Sequence, residues 1–84
     1  MRYHIELSKT AEKQLDKLPD KIAFLLIEAI ELLAENPRPN GYRKLKGREG
    51  FRIRKGKYRV IYDIIDDILV VDVFSVGHRK DIYN

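Results

Sequence analysis

The spacing of hydrophobic positions changes period along the chain, and each change marks an element. Tyr3, Ile5 and Leu7 alternate with His4 and Glu6, the two-residue period of a half-buried strand. Ala11, Leu15 and Leu18 then fall on one side of a helix that Ser8 or Thr10 can cap and Pro19 ends. A second stripe, Ile22, Leu25, Leu26, Ala29, Ile30 and Leu33, predicts a helix from an N-cap at Asp20 to about Glu35. So short a link makes the two helices an αα-hairpin. The stretch Asn36-Pro37-Arg38-Pro39-Asn40-Gly41 cannot continue a helix and reads as a loop.

Three further strands are expected: Tyr42 or Phe51 to Arg54, Lys57 to Ile65, and Ile68 to Val76, with Asp66 and Asp67 at the turn between the last two. Gly77 is expected to close the final strand, leaving residues 77–84 as a short polar tail. The run ILVVDVF is apolar on both faces, which places that strand centrally in the sheet, with helices covering one side. The order predicts an α+β fold, an N-terminal strand and a two-helix hairpin packed on a mainly antiparallel four-stranded sheet, in a single domain over residues 1–84.

The candidate chemistry lies in FRIRKGKYRVIY, Phe51 to Tyr62. On a strand, Phe51 and Ile53 face one side while Arg52 and Arg54 share the other. With Lys55, Gly56 and Lys57 as a hairpin loop, Arg59 returns on the neighbouring strand close to both. Three guanidinium groups then converge on one sheet face. Like charges gathered this way repel, so the cluster implies an anionic partner, and the planar fork of arginine suits phosphate. Tyr58 and Tyr62 have the parity of core residues and stand outside this group.

Charge distribution sharpens the reading. Formal net charge is +4, yet residues 1–40 hold six Lys/Arg against seven Asp/Glu, whereas residues 41–84 hold eleven against six. Between Tyr42 and Arg59 lie nine cationic residues opposed only by Glu49. Such a patch is the footprint of nucleic-acid binding, with Lys44, Lys46, Lys55 and Lys57 as candidate phosphate-tracking residues beside the arginines.

Composition excludes several classes. At 84 residues the chain is long enough for one core, and it contains no cysteine to staple a disulfide scaffold. His4 and His78 are too few for a structural metal site, and neither metal nor cofactor is expected. No apolar run reaches the roughly 18 residues of a membrane span, and Met1-Arg2-Tyr3-His4 lacks the apolar core of a signal peptide. A cytoplasmic protein with no membrane partner is expected.

The ending SVGHRKDIY brings a histidine, an arginine and a tyrosine together after the last strand. With the helical hairpin, the KLKG segment at Lys44 to Gly47 and the KYRVIYDI strand, it makes the whole chain resemble the RelE/ParE superfamily of bacterial and archaeal toxins. The resemblance implies a toxin of a type II toxin–antitoxin system. Its RelE branch cleaves messenger RNA in the ribosomal A site, whereas its ParE branch poisons DNA gyrase and lacks the RNA-cutting residues. Arg52, Arg54, Arg59, Arg79 and Tyr83 match the RelE-like active-site positions, and His78 is a further candidate. The chain departs from those relatives that carry lysines where Arg52 and Arg54 stand. Arginine does not deprotonate in proteins, so neither is a general base, and weight for proton transfer moves to Tyr83 or His78.

Metal-free RNA cleavage needs a base for the 2′-hydroxyl, cations for the charge growing on phosphorus, and a proton for the leaving 5′-oxygen. The RelE-like reading therefore makes the protein a ribosome-dependent messenger-RNA endonuclease. Its partners are a cognate antitoxin, the ribosome and message, and the free protein is expected as a monomer or weak dimer. The alternatives are a ParE-like gyrase inhibitor and a module that grips RNA without cutting it.

Overall fold

The computed structural model describes residues 2–78. Its elements are β1 (His4–Leu7), α1 (Lys9–Lys17), α2 (Asp20–Leu33), β2 (Arg43–Lys44), β3 (Phe51–Lys55), β4 (Tyr58–Ile65) and β5 (Val70–His78), with a 3-10 turn at Asp66–Ile68. The strands form one five-stranded sheet in the order β1-β5-β4-β3-β2. β1 pairs parallel with β5 and the other neighbours pair antiparallel. The α+β class and the helical hairpin stand as expected. The sheet has one more strand than the sequence pattern predicted, because β2 is two residues long and carries no apolar alternation.

Each helix starts and stops for a local reason. Ser8 caps α1, its Oγ accepting from the Ala11 amide at 2.9 Å, and Pro19 cannot continue the helix. Asp20 proves to be the first residue of α2 rather than its cap. No side chain caps that helix, and the Asp20 carboxylate complements the positive end of the dipole. Both helices pack on one sheet face. Ala11 and Leu15 of α1 and Leu26, Ala29, Ile30 and Leu33 of α2 are buried against Ile53, Val60, Tyr62, Val71, Val73 and Val76.

One irregularity sets the register of the central strands. Tyr62 pairs with Val73 but Ile61 pairs with Ser75, so Phe74 is an extra residue in β5. This bulge shifts the alternation, and Val73 and Val76, three apart, both face the helices and are fully buried. The backbone groups around it are satisfied from α1 and its cap. Ser8 Oγ donates to the Phe74 carbonyl at 2.7 Å, and Gln14 Oε1 accepts from the Val76 amide at 2.7 Å.

β5 continues past Gly77, where the sequence pattern alone places its end. Gly77 has φ 159°, an extended conformation that keeps the ladder intact, and it pairs with Arg59. The turn between β3 and β4 is also tighter than expected. Lys55 belongs to β3, and Gly56 and Lys57 alone make the loop, with Gly56 at φ 61° in the first position. That is the geometry of a type II′ hairpin.

Candidate nucleic-acid interface

The face of the sheet away from the helices carries the arginines. In antiparallel pairing, directly opposite residues project to the same side. Arg54 pairs with Arg59, and Arg52 pairs with Ile61, so Arg52, Arg54 and Arg59 share that face as their spacing predicted. β2 adds Arg43, directly opposite Arg52. The result is two arginine rungs: Arg43 with Arg52, and Arg54 with Arg59. An open depression of about 1010 Å³ follows the β2–β3 edge and is lined by all four, together with Ile61 and Ser75. It also wraps around the edge to the flank of α2, where Glu28 and Leu32 line it.

The arginines differ in exposure. Arg43 and Arg54 are exposed, Arg52 is half-buried, and Arg59 is only 6% exposed. Gly77 stands opposite Arg59 on β5 and contributes no side chain at that position. A cation held in a poorly hydrated position acts on an arriving anion through a lower effective dielectric than one in open solvent.

The same face is polarised along the strands. At its other end Glu6 pairs with Asp72, and Asp72 with Asp63, placing three carboxylates in one row across β1, β5 and β4. His4 lies two residues from Glu6 on that side, with Nε2 2.8 Å from its carboxylate. A polyanion is therefore drawn to the arginine end and repelled from the other.

The remaining candidates separate by parity. Lys44 pairs with Phe51 and Lys55 with Tyr58, so both project to the helix side of the sheet, at its exposed edge and at the hairpin. Lys46 and Lys57 are exposed in loops. His78 pairs with Tyr58, and its ring meets that tyrosine edge-on at 5.6 Å, on the side opposite the arginines. Arg79 and Tyr83 lie outside the described residues. Tyr62 is buried with its hydroxyl donating to the Pro37 carbonyl at 2.6 Å, and burial pushes its pKa up to about 12. Among the described residues, no group of three or more His, Asp or Glu side chains is arranged to hold a metal ion.

Sequence reasoning missed Arg43. Its signal was present in the basic run from Arg43 to Arg59, but nothing in Arg43-Lys44 alone announces a strand. What fixes β2 is its connection. The Leu45 amide donates to the Gly50 carbonyl at 2.9 Å, and a Cβ at Gly50 would come within 3.2 Å of the Tyr62 carbonyl oxygen.

The family model described as "ParE toxin of type II toxin-antitoxin system, parDE" matches residues 5–83. The chain belongs to the RelE/ParE superfamily of toxins. It is 37% identical to Toxin RelG of Mycobacterium tuberculosis, covering 99% of this chain and 98% of the relative. It is 31% identical to the mRNA interferase toxin RelE of Escherichia coli, covering 95% of this chain and 86% of that protein. Among solved structures, the archaeal RelE–RelB complex from Pyrococcus horikoshii aligns with a TM-score of 0.82 at 28% identity, over 96% of this chain and 99% of that one. Within the superfamily this chain is a RelE-like toxin of a type II toxin–antitoxin system.

Proposed function

We propose that this RelE-like toxin cleaves messenger RNA on the ribosome, with the arginine face of β3 and β4 holding the scissile phosphate. The observation that carries the reading is the direct opposition of Arg54 and Arg59 beside Arg52 on one face. In the reaction the ribose 2′-oxygen forms a bond to the adjacent phosphorus as its proton is removed. The bond to the 5′-oxygen breaks, that oxygen takes up a proton, and the products are a 2′,3′-cyclic phosphate and a 5′-hydroxyl. No metal takes part in these steps. Charge on the phosphoryl oxygens grows in the transition state, so preorganised guanidinium donors favour it over the ground state.

In this reading Arg59 and Arg79 grip the phosphate while Arg52 and Arg54 stabilise the developing charge. Arginine remains protonated, so the base must come from elsewhere. Tyr83 is the proposed base or its assistant, with surrounding arginines lowering its pKa. The family match extends through residue 83, which supports including both Arg79 and Tyr83. His78 points to the other side of the sheet and is better suited to fixing the end of β5 against Tyr58.

A relative named an mRNA interferase supports the activity, and a structural neighbour solved with RelB supports a cognate antitoxin as the cytoplasmic partner. Phe24 and Leu32, 68% and 61% exposed on α2, are apolar surface that such a partner would cover. The name of the matching family model favours a second reading, a ParE-like gyrase inhibitor. Translation in a purified system, followed by primer extension on the message and a gyrase supercoiling assay, separates the two. New message ends at ribosome-occupied codons support the nuclease; intact message with lost supercoiling selects the gyrase inhibitor.

A further inference from the structure

We infer that the open sheet face is self-complementary and pairs two copies of this chain face to face, arginine end against carboxylate end, about a two-fold axis beside Ile61. The inference does not depend on which reaction the toxin performs.

Both helices pack on the other side of the sheet, so this face has no cover from its own chain among the described residues. Its charges are segregated along a diagonal. The arginines spread over β4, β3 and β2, with Arg59 opposite Arg54 and Arg52 opposite Arg43. The carboxylates spread over β1, β5 and β4, where Glu6, Asp72 and Asp63 stand in one row. β4 is the middle strand of the five, and on it Ile61 sits halfway between Arg59 and Asp63. From strand rise and interstrand spacing, the centres of the two charged groups are about 14 Å apart, and Ile61 lies within about 2 Å of their midpoint.

A ligand of one sign matches only half of such a face. A partner that covers all of it must carry the opposite pattern at the same spacing. A second copy turned about a two-fold axis in the plane of the face meets that requirement by construction. With the axis at about 45° to the strands, Arg54 of one copy falls over Glu6 of the other, and Arg52 falls over the gap between Asp63 and Asp72. Symmetry repeats both contacts. The strands of the two copies then cross at near right angles, one of the two ways in which sheets pack face to face.

The charged groups are accessible for this. Arg43 and Arg54 are exposed, Asp63 and Asp72 are half-buried, and the Glu6 side chain is 57% exposed beside His4. Ile61 and Ser75, which oppose each other between the two ends, carry no charge. A five-stranded face about five residues long covers roughly 400 Å² per copy, half of what a standard stable interface buries. The pair is therefore weak and held mainly by charge. Each chain has a formal net charge of +4, which opposes association at long range. At about 0.1 M salt a Debye length of about 10 Å screens that repulsion across the molecule while close contacts persist; at about 1 M, with about 3 Å, the contacts weaken as well. A copy docked there covers the depression that the four arginines line, and closes it to other anions.

Sedimentation equilibrium on the full chain, freed of nucleic acid and taken up to its solubility limit, tests the pairing. The parent is expected to self-associate at about 0.1 M salt and to be monomeric at about 1 M. Two charge-reversed proteins, one with Glu6→Lys and Asp72→Lys, the other with Arg43→Glu and Arg54→Glu, should each associate at least about 10-fold more weakly than the parent. Mixed in equal amounts they should form a heterodimer, because the arginine end of the first still meets the carboxylate end of the second. A parent that stays monomeric at the lower salt, association unchanged by salt, or a mixture that behaves as its separate components overturns the inference. So does association that Phe24→Ser abolishes and the charge reversals leave untouched, which places the interface on α2 instead. Cleavage of message is read in a separate assay, so failure of the pairing leaves the proposed nuclease standing.

Discussion

Arg54 on β3 and Arg59 on β4 stand directly opposite each other, on the sheet face that the helices leave uncovered. Two cations in that register cost stability, by roughly 0.2–1 kcal/mol for a like-charge pair. With a second arginine pair at Arg43 and Arg52, four guanidinium groups share this face, a donor set whose planar forks suit an anion. Arg54→Ala is therefore predicted to leave the protein as stable as the parent or up to about 1 kcal/mol more stable in urea unfolding, while RNA cleavage falls. A loss of stability greater than about 1 kcal/mol would mark the residue as structural.

The bulge at Phe74 links the helical hairpin to this face. It puts Gly77, rather than Val76, opposite Arg59, and the Gln14 side chain satisfies the Val76 amide that the altered ladder leaves available. Gln14→Leu is predicted to cost about 1–3 kcal/mol, the penalty for orphaning a buried donor. Hydrogen exchange at the Val76 amide should accelerate by more than global destabilisation explains. Unchanged protection there would separate Gln14 from the bulge.

Tyr62 links β4 to the loop after α2 through its hydrogen bond to Pro37. Its folded pKa is raised from 10.0 to about 12, chiefly by burial. A group raised in this way contributes stability that is present below its unfolded pKa and lost as pH climbs through the folded one. The parent should lose stability between about pH 10 and pH 12 on this account. Tyr62→Phe should cost about 1–3 kcal/mol at neutral pH and show a shallower alkaline decline. Urea midpoints across that range check both parts, and an equally steep decline in the variant would contradict the assignment.

Asp66 holds the 3-10 turn to two distant segments. Arg38 Nη2 donates to its carboxylate at 2.8 Å, and the Tyr3 hydroxyl donates at 2.5 Å. These bonds, Arg38 first, hold the carboxyl below its ordinary value of 3.8. The folded state binds the proton less readily than the unfolded chain, so this contribution is present above that value and lost as pH falls through the lower folded pKa. The stability gap between the parent and Asp66→Asn should narrow as unfolding is measured from near neutral pH into that acid range. A gap independent of pH would show that the carboxylate's charge plays no part.

Much of the fold was legible because its elements follow simple periods. Ala11, Leu15, Leu26, Ala29, Ile30 and Leu33 announced the buried helix faces, although Leu25 of the same stripe is 39% exposed. Arg52 and Arg54 announced a shared arginine face by alternation alone. What stayed hidden depends on tertiary register. The two residues of β2 carry no pattern, so Arg43 could be counted as charge but not placed. The bulge lies inside an apolar run where both faces look alike, and Gly77 reads as a terminator until its partner on β4 is known. His78 was brought toward the site by sequence proximity to Arg79, whereas the shifted pairing turns it toward Tyr58.

Single-turnover cleavage of ribosome-bound message asks whether the rung of Arg54 and Arg59 stabilises the transition state of RNA scission. Saturating toxin should cut in the parental reaction, and Arg54→Ala should cut at least about 100-fold more slowly, the usual loss on removing one preorganised transition-state donor. Cleavage by Arg54→Ala and Arg59→Ala at the parental rate would contradict that role.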